Sequence, residues 1–215
     1  MFISRVELNE FRRDTMKCLS SPQIMHAAVM ASFPSFEEDR GRILWRVDRV
    51  GKAMYLLVQS EIRPDFTHIV EQFGRPASGQ TWDTVEYDGH LNKMTNGSVW
   101  RFRLRANPTH SVMEDGKRGK VCHHVTAEQQ LKWLHDKSAK CGFTIESQEG
   151  DLGAEIIQRE IKKFPRGGKT VTLSVVTFEG ILKVTDEDVF RKSMIAGIGR
   201  AKAYGCGLLT TIDVR

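Results

Sequence analysis

Hydrophobic and polar residues along the first ninety positions recur with strand and helix spacing, and their order predicts one folding unit. Residues Phe2–Leu8 alternate as in a half-buried strand. Ser20-Ser21-Pro22 combines a serine N-cap with proline at the first helical position, so a helix is predicted from there to Pro34. The order βαββαβ is completed by predicted strands at Ile43–Val47, Ala53–Gln59 and Trp82–Tyr87 and by a helix that opens at Pro64-Asp65.

The second half repeats this order, with additional hairpin residues in its middle. Trp100, Phe102 and Leu104 alternate with three arginines, which predicts a strand with one apolar and one basic face. Thr126 and Gln129 match a capping box, and the helix that follows is predicted to run to Cys141-Gly142. The remaining predicted elements are strands near Phe143–Ser147, Ile156–Lys163, Thr170–Phe178, Gly180–Val184 and Leu208–Ile212, and a helix from Asp186 through Ile195.

Two tandem ferredoxin-like domains, an α+β fold of the RRM-like type, account for both halves most economically. The polar stretch Gly89–Ser98 marks the predicted boundary. We expect a first domain at residues 1–90, a linker at 91–98 and a second domain at 99–215. Such sheets often bind RNA, but a fold alone does not establish a function.

The charge distribution adds a candidate partner to this picture. The chain has a net charge of +5, and residues 91–215 carry 21 Lys and Arg against 14 Asp and Glu, whereas residues 1–90 carry 11 against 13. A basic half indicates a polyanion such as nucleic acid, although basic surfaces also serve solubility. The four cysteines show no CxxC spacing, and no signal-like or membrane-length apolar run is present. We therefore expect a reduced cytoplasmic protein without a membrane partner.

The C-terminal residues GIGRAKAYGCGLL form a glycine-rich, basic loop before a last apolar strand. Glycine permits close approach of a backbone to phosphate, and Arg and Lys supply charge. A dinucleotide fingerprint or P-loop does not fit, because the required βαβ unit and the G-K-[ST] sequence are missing. We predict that this loop contacts a polynucleotide through Gly197, Gly199, Arg200, Lys202, Gly205 and Gly207.

Two further basic elements lie in the same half. The first is the arginine face of the predicted strand, and the second is a hairpin with Pro165 and Gly167-Gly168 at its turn. A hairpin with cations at its tip can reach along a nucleic-acid backbone, although an exposed hairpin without a ligand is equally compatible with the sequence. The predicted RNA-binding residues of these elements are Arg101, Arg103, Arg105, Arg159, Lys162, Lys163, Arg166 and Lys169.

His26 is the candidate catalytic residue. It lies in the second turn of the first predicted helix, at the border of its apolar face and on a stripe with Gln23 and Met30. Imidazole can donate or accept a proton near neutral pH, but a lone histidine is more often without such a role. The adjacent Cys122-His123-His124 lacks a second ligand pair at zinc spacing, so no metal site is expected.

Several of these motifs together resemble one known family. They are Arg101–Pro108 (RFRLRANP), the basic Gly116-Lys117-Arg118, Trp133-Leu134 within a helix, Phe178-Glu179-Gly180 and the terminal glycine loop. Their order resembles the CasE family of CRISPR-associated endoribonucleases in the RAMP superfamily, and the resemblance covers almost the full length.

The resemblance implies an RNase, without metal or cofactor, that cuts precursor CRISPR RNA at the base of the repeat stem-loop and leaves a 2′,3′-cyclic phosphate and a 5′-hydroxyl. The CRISPR repeat RNA and other Cascade subunits are the implied partners. The family's catalytic histidine falls on His26, its basic hairpin on Lys162 and Lys163, and Lys117 and Arg118 join the implied RNA-binding residues. Whether His26 acts as acid or base remains open at this stage.

One departure from the family pattern affects the catalytic prediction. Members carry a tyrosine three positions before the histidine, where this chain has Gln23, and an amide can orient a hydroxyl but cannot deprotonate it in this pH range. Two alternatives therefore remain. One is a non-catalytic RNA-binding or scaffold subunit of the same superfamily. The other is a small-molecule enzyme that uses the glycine loop for a nucleotide.

Overall fold

The structure is a computed structural model that describes residues 1–34, 41–79, 82–114, 117–146 and 153–214. The chain divides into two compact units. Unit 1 contains Met1–Asn92 together with Lys163–Val171 and Lys202–Gly205, and unit 2 contains Lys93–Lys162, Thr172–Ala201 and Cys206–Arg215. Two short segments from the second half of the sequence thus belong to unit 1. The predicted domain limits of 1–90, 91–98 and 99–215 stay a prediction.

Unit 1 has an antiparallel sheet with the strand order β2-β3-β1-β4, which is the ferredoxin-like order. The apolar residues of one sheet face, among them Val6 and Leu56, pack with Val29 and Ile69 of two helices. The strands are β1 (Phe2–Leu8), β2 (Leu44–Val50), β3 (Ala53–Ser60) and β4 (Trp82–Glu86), and the helices are α1 (Arg13–Ser20), α2 (Pro22–Met30), α3 (Thr67–Phe73) and α4 (Asp88–Leu91), with a 3-10 turn at Pro76–Ser78.

The first predicted helix is confirmed at its start and corrected at its end. Pro22 occupies the first turn and Ser21 the N-cap, because proline needs no backbone hydrogen-bond partner there. The helix ends at Met30 rather than at Pro34. A preceding helix, α1, was not predicted, since its sequence RDTMKCLS is mostly polar and buries only Thr15 and Cys18.

Unit 2 has the same topology, with the sheet order β11-β5-β10-β8 and with β9 paired to β10. The predicted fold class of two tandem ferredoxin-like domains is therefore confirmed. The strands are β5 (Val99–Ala106), β6 (Thr109–Glu114), β7 (Lys117–His123), β8 (Phe143–Ile145), β9 (Ala154–Arg166), β10 (Lys169–Val184) and β11 (Leu209–Asp213), and the helices are α5 (Ala127–Lys140) and α6 (Glu187–Ala196). The hairpin tip where β9 ends and β10 begins, and a 3-10 turn at Lys202–Tyr204, belong to unit 1. Ser147, the predicted end of β8, lies outside the described residues.

The two strands predicted on either side of Glu179 form one continuous strand, β10. Gly180 does not interrupt it. A Cβ at this position would lie 2.4 Å from the carbonyl oxygen of Gly153 and 3.1 Å from the Phe102 ring. The glycine therefore permits close packing against neighbouring backbone within a regular strand.

The caps of the two helices of unit 2 agree with the sequence. The Thr126 hydroxyl accepts a hydrogen bond from the Gln129 amide at 3.2 Å, and the Gln129 side chain accepts one from the Thr126 amide, which completes the predicted capping box of α5. Asp186 accepts from the Val189 amide at the start of α6. None of the helices in the described ranges is long and apolar enough to cross a membrane.

Candidate active site

His26 lies on α2 in unit 1 and is half-buried. Its Nδ1 is buried and has no hydrogen-bond partner among the described residues. Burial, together with the positive charge of Arg166, lowers the pKa of His26 below its ordinary value. A lowered pKa favours the neutral form of the imidazole at neutral pH.

The charge of Arg166 acts on His26 within one compact unit, because the tip of the β9–β10 hairpin belongs to unit 1. The tip turns through Gly167 and Gly168, whose φ angles of 53° and 75° are those of a type I′ turn. Arg166 precedes this turn and is exposed, like Lys163 and Lys169. One predicted RNA-binding cation thus lies in the same compact unit as the candidate catalytic histidine and acts on it electrostatically.

The 3-10 turn Lys202–Tyr204 also packs against α2 and β2. The Tyr204 ring contacts the Phe164 ring at a centroid distance of 4.8 Å, and the Arg166 guanidinium carbon lies 5.8 Å from the Tyr204 centroid. Neither Phe164 nor Tyr204 was predicted to have a role. The sequence feature that could have indicated one is an aromatic residue within each predicted basic element, with Phe164 before Pro165 and Tyr204 before Gly205.

Gln23, at the position of the family tyrosine, is exposed on α2. It precedes His26 by three residues and therefore lies on the same side of the helix. No titratable group takes its place at that position.

In unit 2, the three predicted arginines of β5 differ in their surroundings. The apolar residues that alternate with them, Trp100, Phe102 and Leu104, are buried, as predicted. Arg103 forms an ion pair with Glu179, and Arg105 forms one with Glu160. Arg101 is exposed and has no ion-pair partner within the described ranges.

The other cations of unit 2 are also partly engaged. Lys162 lies 3.0 Å from Glu160, and Arg159 donates to the Val125 carbonyl oxygen. Arg200 is exposed after α6. Lys117 and Arg118 belong to β7, and their side chains lie outside the described part of the structure. Carboxylates therefore reduce the free positive charge that the sequence predicted.

The glycines of the terminal loop have a structural explanation. Gly197, Gly199, Gly205 and Gly207 have φ angles of 77°, 83°, 77° and 93°, which other residues rarely adopt. A Cβ at Gly199 would lie 3.1 Å from the Trp133 ring, and one at Gly205 would lie 2.6 Å from the Trp45 ring. Within unit 2, the Gly207 amide donates to the Arg105 carbonyl oxygen at 2.7 Å. The predicted contact of this loop with RNA stays a prediction.

Several of the other histidines contact neighbours within the described residues. His68 Nε2 lies 3.0 Å from the Ala28 carbonyl oxygen, and His90 stacks on Tyr87. The His110 and His124 rings are 4.7 Å apart, and burial lowers the pKa of His124. In the part of the chain that the structure describes, no group of three or more His, Cys, Asp or Glu residues is arranged to hold a metal ion.

All four cysteines are free. Burial raises the pKa of the Cys18 thiol to about 11 and that of Cys206 to about 12. These two thiols therefore remain protonated and serve as small core residues.

A family model described as CRISPR associated protein matches residues 1–212, which defines the class of protein. The CRISPR-associated endoribonuclease Cse3 of Thermus thermophilus is 29% identical over 219 residues, covering 98% of this chain and 99% of the relative. The CRISPR system Cascade subunit CasE of Escherichia coli K12 is 30% identical over 162 residues, covering 71% of this chain and 78% of the relative. The chain belongs to the CasE family of CRISPR-associated endoribonucleases.

Solved structures agree with this assignment. CRISPR endoribonuclease Cse3 bound to 19 nt RNA superimposes with a TM-score of 0.85 at 27% identity, covering 99% of this chain and 100% of that one. Thermus thermophilus Cse3 bound to an RNA representing a pre-cleavage complex gives 0.82 at 26% identity, with 98% of each chain covered. The family resemblance inferred from the motifs is confirmed.

The packing of Gly205 leads to a stability prediction. Gly205→Ala should destabilise the protein more than Gly51→Ala, a control at a φ of 59° where an added Cβ meets nothing within 4 Å. Both variants carry the left-handed cost of about 1–2 kcal/mol. The clash with Trp45 should add about 1–3 kcal/mol at Gly205. Urea unfolding followed by tryptophan fluorescence measures the difference, and equal destabilisation would contradict this packing role.

Proposed function

We propose that this chain cleaves precursor CRISPR RNA at the base of the repeat stem-loop, without a metal ion and with His26 as the catalytic residue. The observation that supports this most strongly is the neutral, half-buried imidazole beside a cation of the basic hairpin, within one compact unit of a CasE-family chain. The Thermus relative is named an endoribonuclease, and its match with this chain covers nearly the whole length of both proteins.

The reaction uses a nucleophile that RNA itself carries. The 2′-oxygen attacks the adjacent phosphorus and the bond from phosphorus to the 5′-oxygen breaks, which leaves a 2′,3′-cyclic phosphate and a 5′-hydroxyl. The 2′-hydroxyl loses a proton, and the leaving 5′-oxygen gains one from water. Because the pKa of His26 is lowered, its neutral imidazole suits the first transfer, as general base toward the 2′-hydroxyl. Arg166 suits the negative charge that develops on the phosphate.

RNA binding is assigned to both units. In unit 1 we propose contacts from Lys163, Arg166 and Lys169 at the hairpin tip, with Lys202 and Gly205 from the terminal loop. In unit 2 the exposed Arg101 and Arg200 are the strongest candidates, since neither has a carboxylate partner among the described residues. The other proposed contacts in unit 2 are Arg103, Arg105, Lys117, Arg118, Arg159, Lys162, Gly197, Gly199 and Gly207.

We further propose that the chain keeps the processed RNA and assembles with other Cascade subunits in the cytoplasm. The support is the name of the Escherichia coli relative, a Cascade subunit, together with the many positive charges available for phosphate contacts. A stem is recognised mainly by its shape and phosphates, so the product stem keeps most contacts of the substrate.

The cleavage assay tests the catalytic role. His26→Ala should lower the single-turnover rate constant on the repeat RNA about 10²- to 10⁴-fold while RNA affinity stays unchanged, because general base catalysis contributes that much. His90→Ala, whose ring stacks on Tyr87, is the matched control and should cleave normally. A 2′-deoxy nucleotide at the cut site should abolish cleavage, and EDTA should have no effect.

Three results of this assay would contradict the proposal. Cleavage by His26→Ala at the wild-type rate would remove His26 from the chemistry. Inhibition by EDTA would establish a metal requirement. A wild-type protein that binds the repeat RNA without cutting it would favour the alternative, a non-catalytic scaffold subunit, which the exposed Gln23 at the family's tyrosine position also favours.

The salt dependence of binding tests the role of Arg101. Each cation that contacts a phosphate releases counterions, so Arg101→Gln should reduce the slope of log K against log salt by about 1. Lys132→Gln removes the same charge from an exposed position on α5, where Lys132 already pairs with Asp136 at 3.3 Å, and should leave the slope nearly unchanged. Equal slopes for Arg101→Gln and Lys132→Gln would exclude Arg101 from the interface.

A further inference from the structure

The Tyr204 ring, in the 3-10 turn that packs against α2, contacts both Phe164 and Arg166 of the β9–β10 hairpin. One contact of its ring is with Phe164, which is 2% exposed, and the two rings are inclined by 59°. Another is with the guanidinium of Arg166, 5.8 Å from the ring centroid. A guanidinium stacks on an aromatic ring through cation–π attraction and through its planar shape. The ring thus restricts a long side chain that would otherwise sample many rotamers.

The position of Tyr204 itself is fixed from two sides. Its 3-10 turn packs against α2, the helix that carries His26, and against β2. The next residue, Gly205, is buried, and its backbone lies so close to the Trp45 ring that a Cβ would not fit. Trp45 in turn belongs to the core of unit 1. The tyrosine ring is therefore a rigid support that keeps a constant relation to α2.

We infer that Tyr204 is a positioning residue of the cleavage reaction, whose ring holds the Arg166 guanidinium beside His26 for the phosphate that is cut. This inference rests on the proposed function. A cation that is already in place when charge develops on the phosphate stabilises the transition state without reorganisation during the reaction. A flexible arginine at a hairpin tip would first have to become ordered.

The electrostatic surroundings of α2 agree with this role. Arg166 is a cation whose charge acts on His26 and favours the neutral imidazole. The titratable and charged groups on the helices and turns next to α2 are Arg13, Asp14, Lys17 and Cys18 on α1, His68 and Glu71 on α3, Lys163, Arg166 and Lys169 at the hairpin tip, and Lys202 and Tyr204 in the 3-10 turn. Cations exceed carboxylates in this set, so the environment favours a phosphate and disfavours a second positive charge on His26.

Four variants separate the role of the ring from the role of the phenol hydroxyl. Tyr204→Phe keeps the ring and removes the hydroxyl, whereas Tyr204→Leu removes the aromatic support. Arg166→Lys keeps the charge without the planar group, and Arg166→Gln removes the charge. Arg166 is exposed, so its variants should fold even if Tyr204→Leu does not. The measurements are the single-turnover rate constant on the repeat RNA as a function of pH, RNA affinity and the melting temperature.

We expect Tyr204→Phe to cleave like the wild type. Tyr204→Leu should reduce the rate constant about 10- to 100-fold, the size typical of a misplaced catalytic group, with little change in RNA affinity. On acidification, the rate of Tyr204→Leu should begin to fall at a higher pH than that of the wild type, because a less fixed cation allows the pKa of His26 to rise toward the ordinary value.

Arg166→Gln should show the same displacement of the pH profile, and Arg166→Lys should have an intermediate rate. The double variant Tyr204→Leu/Arg166→Gln should lose no more activity than Arg166→Gln alone.

The outcomes distinguish this inference from the proposed function. If the wild type cleaves and His26→Ala does not, but Tyr204→Leu and Arg166→Gln keep the wild-type rate and pH profile, the positioning role is wrong. A loss in Tyr204→Phe as large as in Tyr204→Leu would also overturn it, because the hydroxyl and not the ring would then be required. Absence of cleavage by the wild type would instead refute the proposed function.

Discussion

The chemistry assigned to this chain depends on three distant segments that meet at one helix. His26 comes from α2, Arg166 from the tip of the β9–β10 hairpin, and Tyr204 from the 3-10 turn near the C-terminus. The aromatic contact between Phe164 and Tyr204 joins the second and third segments, and the packing of the turn on α2 joins them to the first. Without this contact, Arg166 would be a surface cation with no fixed relation to His26.

The same arrangement explains how a single imidazole can serve an RNase of this type. RNA supplies the nucleophile, so the protein has to accept a proton, stabilise charge and hold the geometry. In the proposed reaction, burial and the charge of Arg166 lower the pKa of His26, which suits the imidazole to act as a base, and the same cation suits the phosphate. One electrostatic feature thus contributes to two steps. In the proposed mechanism, this feature is the source of catalysis in a chain that has Gln23 at the position of the family tyrosine.

Local sequence signals predicted most of the fold. Pro22 after Ser21 and the Thr126–Gln129 capping box specify helix starts through contacts within a few residues, so both starts could be predicted from the sequence. Features that depend on tertiary neighbours could not be predicted in this way. Gly180 suggested the end of a strand, although it permits close packing within one.

Less of the candidate site than of the fold could be predicted from the sequence, because the site also depends on tertiary neighbours. His26 and Arg166 were each found, but their proximity was not, because no local pattern relates a helix to a hairpin tip so far along the chain. Two of the three strand arginines are paired with Glu179 and Glu160, and those pairs depend on strand pairing that alternation alone does not give. The loop glycines indicated a phosphate contact, yet Trp45 and Trp133 already require glycine at two of the four positions.

The central claim is that the hairpin cation acts on the helix imidazole in the folded chain before RNA binds. An NMR titration of the His26 imidazole in the RNA-free protein tests this most directly, with Arg166→Gln as the comparison. The account predicts a wild-type pKa below the ordinary value of about 6.5 and a higher pKa in the variant. A wild-type pKa at or above the ordinary value that the variant leaves unchanged would contradict it.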